Sequence, residues 1–237
     1  MKLTRMPGIV LRSLLATLPL IVVACGQWDA RQPEATARAS TREEGQPERL
    51  AAPPRIVFLG DSLTAGLGLP REQAVPSLIQ DRLDAEGLRY EVVNAGVSGD
   101  TSAGGLSRLD WSLEGDVAIL VVELGANDGL RGLPVSQMKR NLSEIVTRAK
   151  QRGIAVILTG MEAPPNYGPA YTGEFRQVFR DVAGEHDVAF VPFYLEGVAG
   201  MPSLNNSDGI HPNAAGARVV AKTLWRALEP VLETHDR

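Results

Sequence analysis

The sequence has a single cysteine, Cys25, and only three histidines, His186, His211 and His235, among 237 residues. One cysteine excludes an intramolecular disulfide and the thiolate-rich kind of metal site. Any imidazole chemistry must choose among three side chains. Basic residues are not in excess: 24 Lys and Arg stand against 28 Asp and Glu, a formal net charge of −4. A nucleic-acid partner would want a basic face, so none is expected. The apolar run at 14–24 is too short to span a bilayer, which takes ~20 residues. Against these absences the bulk composition is that of a globular protein, 44% hydrophobic and 22% charged.

Lys2, Arg5 and Arg12 precede the apolar run, the layout of a secretory signal peptide. The run ends Val22-Val23-Ala24-Cys25, which resembles the lipobox of bacterial lipoproteins. That resemblance implies cleavage before Cys25 and a lipid on its sulfur, hence a membrane anchor in a bacterial envelope. Gly26 in place of Asp favours the outer membrane by the same resemblance. The alternative is a secreted protein with a chance cysteine. From 27 to 54 the chain is Arg, Glu, Gln, Pro, Ala and Thr with almost no large apolar residue, so it reads as a flexible tether. The expected organisation is a signal peptide at 1–24, a lipidated cysteine and tether at 25–54, and one domain at 55–237. Its roughly 180 residues are enough for a single core.

Within that domain apolar, β-rich runs alternate with amphipathic stretches. Strands are expected at 55–60, 90–94, 117–124, 154–160 and 189–192. Several are continuously apolar, as strands covered on both faces should be. Helices are expected near 75–86, 102–109, 136–152, 174–185 and 213–233, the last beginning with Pro212 at its first position. The alternation argues for a three-layer α/β/α fold on a parallel sheet.

Strand ends carry the chemistry. Gly60-Asp61-Ser62 follows the first strand, Asn94-Ala95-Gly96-Val97-Ser98-Gly99-Asp100 the second, and Glu123-Leu124-Gly125-Ala126-Asn127-Asp128 the third. Past the fifth comes Asp208-Gly209-Ile210-His211-Pro212. A parallel sheet gathers these ends at one edge, where ligands bind. Ser62 alone could be no more than a helix cap. With His211 as a base and Asp208 three residues earlier to fix its tautomer, it becomes a candidate nucleophile. Gly96, lacking Cβ, and the neutral amide of Asn127 are candidate oxyanion donors beside the Ser62 N–H. His186, at a helix end among acids, reads as structural, and His235 as part of a frayed tail.

The blocks Gly-Asp-Ser-Leu at 60–63, Gly96 ahead of Gly99-Asp100, Gly-Ala-Asn-Asp at 125–128 and Asp-Gly-Ile-His-Pro at 208–212 together resemble the GDSL (SGNH) hydrolases. Glu-Leu-Gly-Ala-Asn-Asp-Gly-Leu-Arg-Gly at 123–132 and Pro-Pro-Asn-Tyr-Gly at 164–168 are similar to its thioesterase I/lysophospholipase/arylesterase branch. The resemblance implies a five-stranded parallel sheet of flavodoxin-like order. It further implies a catalytic triad of Ser62, Asp208 and His211, and an oxyanion hole of Ser62, Gly96 and Asn127. Thr64 stands where that branch often has Ser. A serine esterase acting on small-molecule or lipid esters follows, monomeric and needing no metal or cofactor. A carbohydrate O-acetyl deacetylase is the alternative on the same fold. Leu63, Leu67, Leu69, Leu130, Leu133 and Tyr167 either line an acyl groove or belong to the core.

Other architectures fit less well. An α/β-hydrolase wants Gly-x-Ser-x-Gly, but Thr64 stands two residues after Ser62. Gly66-x-Gly68 begins a dinucleotide fingerprint that Arg71 interrupts. A metal hydrolase would need more ligands than His211 and one carboxylate. A non-catalytic ligand-binding lipoprotein remains as the reading in which Ser62 is dispensable.

Overall fold

Ile56, Val57, Phe58 and Leu59 have almost no exposed surface, which only a strand covered on both faces can achieve. In the computed structural model, which describes residues 52–235, they form β1 (Arg55–Gly60). The readings of a signal peptide, of lipid attachment at Cys25 and of a tether fall almost wholly outside the described residues. Four more strands follow: β2 (Glu91–Gly96), β3 (Val117–Glu123), β4 (Ala155–Thr159) and β5 (Ala189–Val191). They build one parallel sheet in the order β2-β1-β3-β4-β5. This is the flavodoxin-like order, whose switch point lies between β1 and β3. Every residue of β3 is buried, whereas the edge strand β2 is mostly half-exposed.

The connecting helices are α1 (Ser62–Ala65), α2 (Val75–Ala85), α3 (Ser102–Ser107), α4 (Leu109–Ser112), α5 (Ala126–Leu130), α6 (Val135–Gln151), α7 (Gly168–His186) and α8 (Ala214–His235). Helix α2 packs on α8, while α3 and α7 pack on α6, so two helical layers flank the sheet. The apolar stripe of α8 is buried at Val220, Leu224, Leu228 and Leu232, with Val231 at its margin.

Several boundaries differ from expectation. Helix α7 begins at Gly168 rather than 174, because Pro169 sits in its first turn, where a missing N–H costs nothing. The segment expected as one helix at 102–109 breaks at Arg108 into α3 and α4. Pro212 is not the first residue of α8. It pairs with Asn205 in an isolated bridge, and Asn213 caps the helix, its Oδ1 accepting from Ala215 N (3.0 Å) and Gly216 N (3.1 Å). His235 is the last residue of α8 and meets the Tyr90 ring edge-on, not a frayed end.

Asn213 also donates through Nδ2 to Ser203 O and Asn205 O, tying the loop that precedes α8 to its cap. Asn213→Ala is therefore expected to cost about 2 kcal/mol, the upper end for a lost cap. A lowered denaturation midpoint at unchanged m-value would show it.

Candidate active site

The register brings three strand ends level. Gly60 stands opposite Gly96 on one side and Glu123 on the other, so the loops after β1, β2 and β3 leave the sheet side by side. Asp61 caps α1 by accepting from Leu63 N (2.9 Å), which places Ser62 at the first position of a single helical turn. The turn can approach β3 only because Gly60 has no side chain. A Cβ there would lie 2.0 Å from Thr64 Oγ1 and 2.7 Å from Glu123 Oε2.

His211 arrives from the far end of the chain. Its Nε2 lies 2.8 Å from Ser62 Oγ, and its Nδ1 lies 2.8 Å from Asp208 Oδ2. The segment carrying both residues is closed on itself: Asn206 N donates to His211 O (2.8 Å) and Gly209 N to Asn206 O (2.9 Å). The Asp208 Oδ1 accepts from the backbone N–H of Ile210 and of His211. Those backbone donors, His211 N–H first, and then the imidazole hold the Asp208 carboxyl down at about 2. It stays ionised throughout any ordinary working range. With Nδ1–H directed to Asp208, Nε2 is left to accept the serine proton.

Asn127, the second residue of α5, donates one amide hydrogen to Asp61 Oδ2 (2.9 Å). The other remains for a ligand. Next to it, buried Asp128 receives both the N–H and the hydroxyl of Ser102 (2.7 and 2.6 Å), fixing α5 to the start of α3.

A scan of family models matches residues 58–219 to the GDSL-like Lipase/Acylhydrolase family. The chain belongs to that family. Among its relatives, Esterase TesA of Pseudomonas aeruginosa is 45% identical over 183 residues, 77% of this chain and 91% of that protein. The Thioesterase 1/protease 1/lysophospholipase L1 of Escherichia coli K12 is 36% identical over 189 residues, 79% of this chain and 89% of its own length. The psychrotrophic esterase EstA from Pseudoalteromonas sp., solved inhibited by monoethylphosphonate, matches with a TM-score of 0.72 at 35% identity. That alignment covers 76% of this chain and 98% of EstA.

Against this family frame one expected residue needs correction. Gly96 ends β2 with its N–H already bonded to Asn94 Oδ1 (3.0 Å), and its Cα is pressed against the backbone of Ala65 and Asp61. Its lack of Cβ serves packing, not an oxyanion. Three residues on, Gly99 has φ +86° in a turn closed by Asp100 N to Val97 O (3.0 Å). The Gly99 N–H has no hydrogen-bond partner among the described residues. The six apolar residues also divide. Leu63 is core and Leu69 packs against it, whereas Leu67, Leu130, Leu133 and Tyr167 are exposed, as are Val97, Met201 and Ile210. All seven lie in segments that follow strand C-terminal ends, Leu130 as the last residue of α5.

Three residues around Ser62 carry no role in the sequence reading. Arg108 donates to Gly60 O, to Ala95 O and to Asp100, clamping the ends of β1 and β2. Asp61 caps the turn that begins with Ser62. Glu123 lies beneath it; a lone acid ending an otherwise apolar strand is the signal that could have found it. Thr64 keeps a hydroxyl at this position, and its Oγ1 donates to Glu123 Oε2 (2.8 Å).

Because Asp208 is 45% exposed, solvent screens its charge. Asp208→Asn is expected to lower kcat by less than the ~10⁴-fold typical of a buried triad aspartate. The acid limb of the kcat/KM profile should have unit slope, since the Asp208 charge, and any stability it lends, is lost only as pH falls through about 2.

Proposed function

We propose that Ser62, His211 and Asp208 form the catalytic triad of a carboxylic ester hydrolase that forms an acyl-enzyme. The observation that carries this is the continuous chain from Ser62 Oγ through both ring nitrogens of His211 to Asp208. As Ser62 Oγ attacks the carbonyl carbon, His211 Nε2 takes its proton. The tetrahedral oxyanion is met by the N–H of Ser62, the free amide hydrogen of Asn127 and the N–H of Gly99. His211 returns the proton to the leaving oxygen or sulfur. Water then enters by the same route in reverse, releasing the acid and restoring Ser62.

The exposed apolar residues that follow the strand ends on the edge carrying Ser62 favour substrates with an extended acyl or aryl part: thioesters, lysophospholipids, and aryl or fatty esters. They are 36–49% exposed, so an acyl chain laid on them is covered on one side only. The names of the relatives, an esterase and a thioesterase/lysophospholipase, point the same way. The cavity of about 600 Å³ between the starts of β4 and β5 and the end of α8 lies at the opposite edge and includes none of these residues.

Hydrolysis of p-nitrophenyl esters from acetate to palmitate tests the proposal. Ser62→Ala should fall by ~10⁶-fold in kcat. In the wild type kcat/KM should rise with chain length, by less than ~0.8 kcal/mol per CH₂ because cover is one-sided. A flat profile would move the assignment to an acetyl-ester deacetylase. Equal inactivity of both proteins would leave a ligand-binding module.

The envelope lipoprotein belongs to the same proposal and rests on the segment ending Val22-Val23-Ala24-Cys25. Cys25→Ala is expected to shift the protein from the membrane to the soluble fraction of cells. An unchanged distribution would discard the anchor.

A further inference from the structure

Glu123 ends β3 directly under the turn that carries Ser62, and it is fully buried. One oxygen, Oε2, receives three donors: Asp61 N (3.2 Å), Thr64 N (3.2 Å) and Thr64 Oγ1 (2.8 Å). The other, Oε1, is buried with no hydrogen-bond partner among the described residues. A carboxylate in that setting would leave half its charge unsolvated, which proteins avoid by keeping the proton. The second buried acid, Asp61, is spoken for by Leu63 N and by Asn127. Burial raises the Asp61 carboxyl as well, against the lowering pull of the Leu63 N–H and of side-chain hydrogen bonds with Glu123 and Asn127. Two carboxyls can share such a bond only if one is protonated. Of the two, Glu123 is the one with an oxygen that has no hydrogen-bond partner among the described residues.

We infer that Glu123 is a positioning residue for the nucleophile and acts as the neutral acid, its proton on Oε1 and its Oε2 holding the Ser62 turn from below. The inference rests on Ser62 being the nucleophile. Three consequences follow from the charge state. Asp61 keeps the pair's single negative charge, which caps α1 and draws Asn127 into place. The neutral acid still accepts through Oε2 from Asp61 N and from Thr64 N and Oγ1, so both sides of the turn are fixed by one side chain. A second negative charge is kept out of a site that must stabilise an oxyanion.

The neighbours are consistent with this state. Buried Tyr194 faces the pair from the loop after β5, and His211 faces Asp61 from across the site. Arg108, the nearby cation, spends its guanidinium on Gly60 O, Ala95 O and Asp100. Burial, with the Asp61 charge second, pushes the Glu123 carboxyl well above the usual range.

The test is Glu123→Gln beside Glu123→Ala, measured by thermal melts from pH 4 to 9 and by steady-state kinetics. An acid kept neutral in the folded state loses stability as pH rises above its unfolded value, ~4.3, toward its folded one. Glutamine has no such loss, so the Tm advantage of Glu123→Gln over wild type should grow with pH. Glu123→Gln should also recover most of the kcat that Glu123→Ala loses, ~10²-fold for a displaced turn, with KM little changed in either. A Tm difference that shrinks with rising pH would mean a native carboxylate and would overturn the inference. So would a Gln variant as impaired as the Ala variant. Should Glu123→Ala not fold, the sign of the pH trend in Glu123→Gln decides alone. The melts need no turnover and can be repeated in a Ser62→Ala background. A failure of Glu123 to be neutral is thereby distinguished from a failure of Ser62 to be the nucleophile.

Discussion

The 2.8 Å bond between Ser62 Oγ and His211 Nε2 joins residues 149 positions apart, and the rest of the molecule is arranged to make that length stable. Its two ends are fixed by different means. Ser62 is fixed by the sheet, at the end of a central strand whose side chains have no freedom to shift. His211 is fixed by a loop, which is rigid because its backbone groups bond to one another and to the cap of α8. The two ends meet through these two side chains, through the packing between them and through Asn206 Nδ2, which donates to Leu67 O (3.4 Å). A disturbance of the α8 cap is thus felt at the imidazole, some positions away from any substrate.

The fold is legible in the sequence where burial is extreme and obscure where elements are short. The run Val117-Ala118-Ile119-Leu120-Val121-Val122 can be little other than a strand covered on both sides, and it is. Helices α1 and α5 are one turn each, too short to show a 3.6-residue period; α1 is capped by the adjacent Asp61, and α5 is held by the bonds of Asn127 to Asp61 and of Asp128 to Ser102. The start of α7 is hidden because Gly168-Pro169 reads as a loop until its packing is known. The same limit applies at the site. Ser62, Asn127, Asp208 and His211 stand out by residue type and position beyond strand ends, and the structure brings them together. Gly96, at the end of β2, and Gly99, in the turn after it, are alike in residue type. Which of them offers a free N–H depends on Asn94 folding back on Gly96, a tertiary fact that no spacing records.

Glu123 shows why a buried acid survives where a leucine would pack more stably. An apolar side chain at the end of β3 would avoid the desolvation that the acid suffers. It would also leave Asp61 N, Thr64 N and the Thr64 hydroxyl without an acceptor in a site closed to water, three losses of about 1–3 kcal/mol each. These donors cannot be removed, because two are backbone and belong to the sharp turn that exposes Ser62. The turn therefore demands an acceptor beneath it, and the acceptor must come without a charge that would oppose the oxyanion above. Gly60 completes the arrangement by giving the carboxyl room to reach the turn. Position, protonation and the missing Cβ are one requirement seen from three sides.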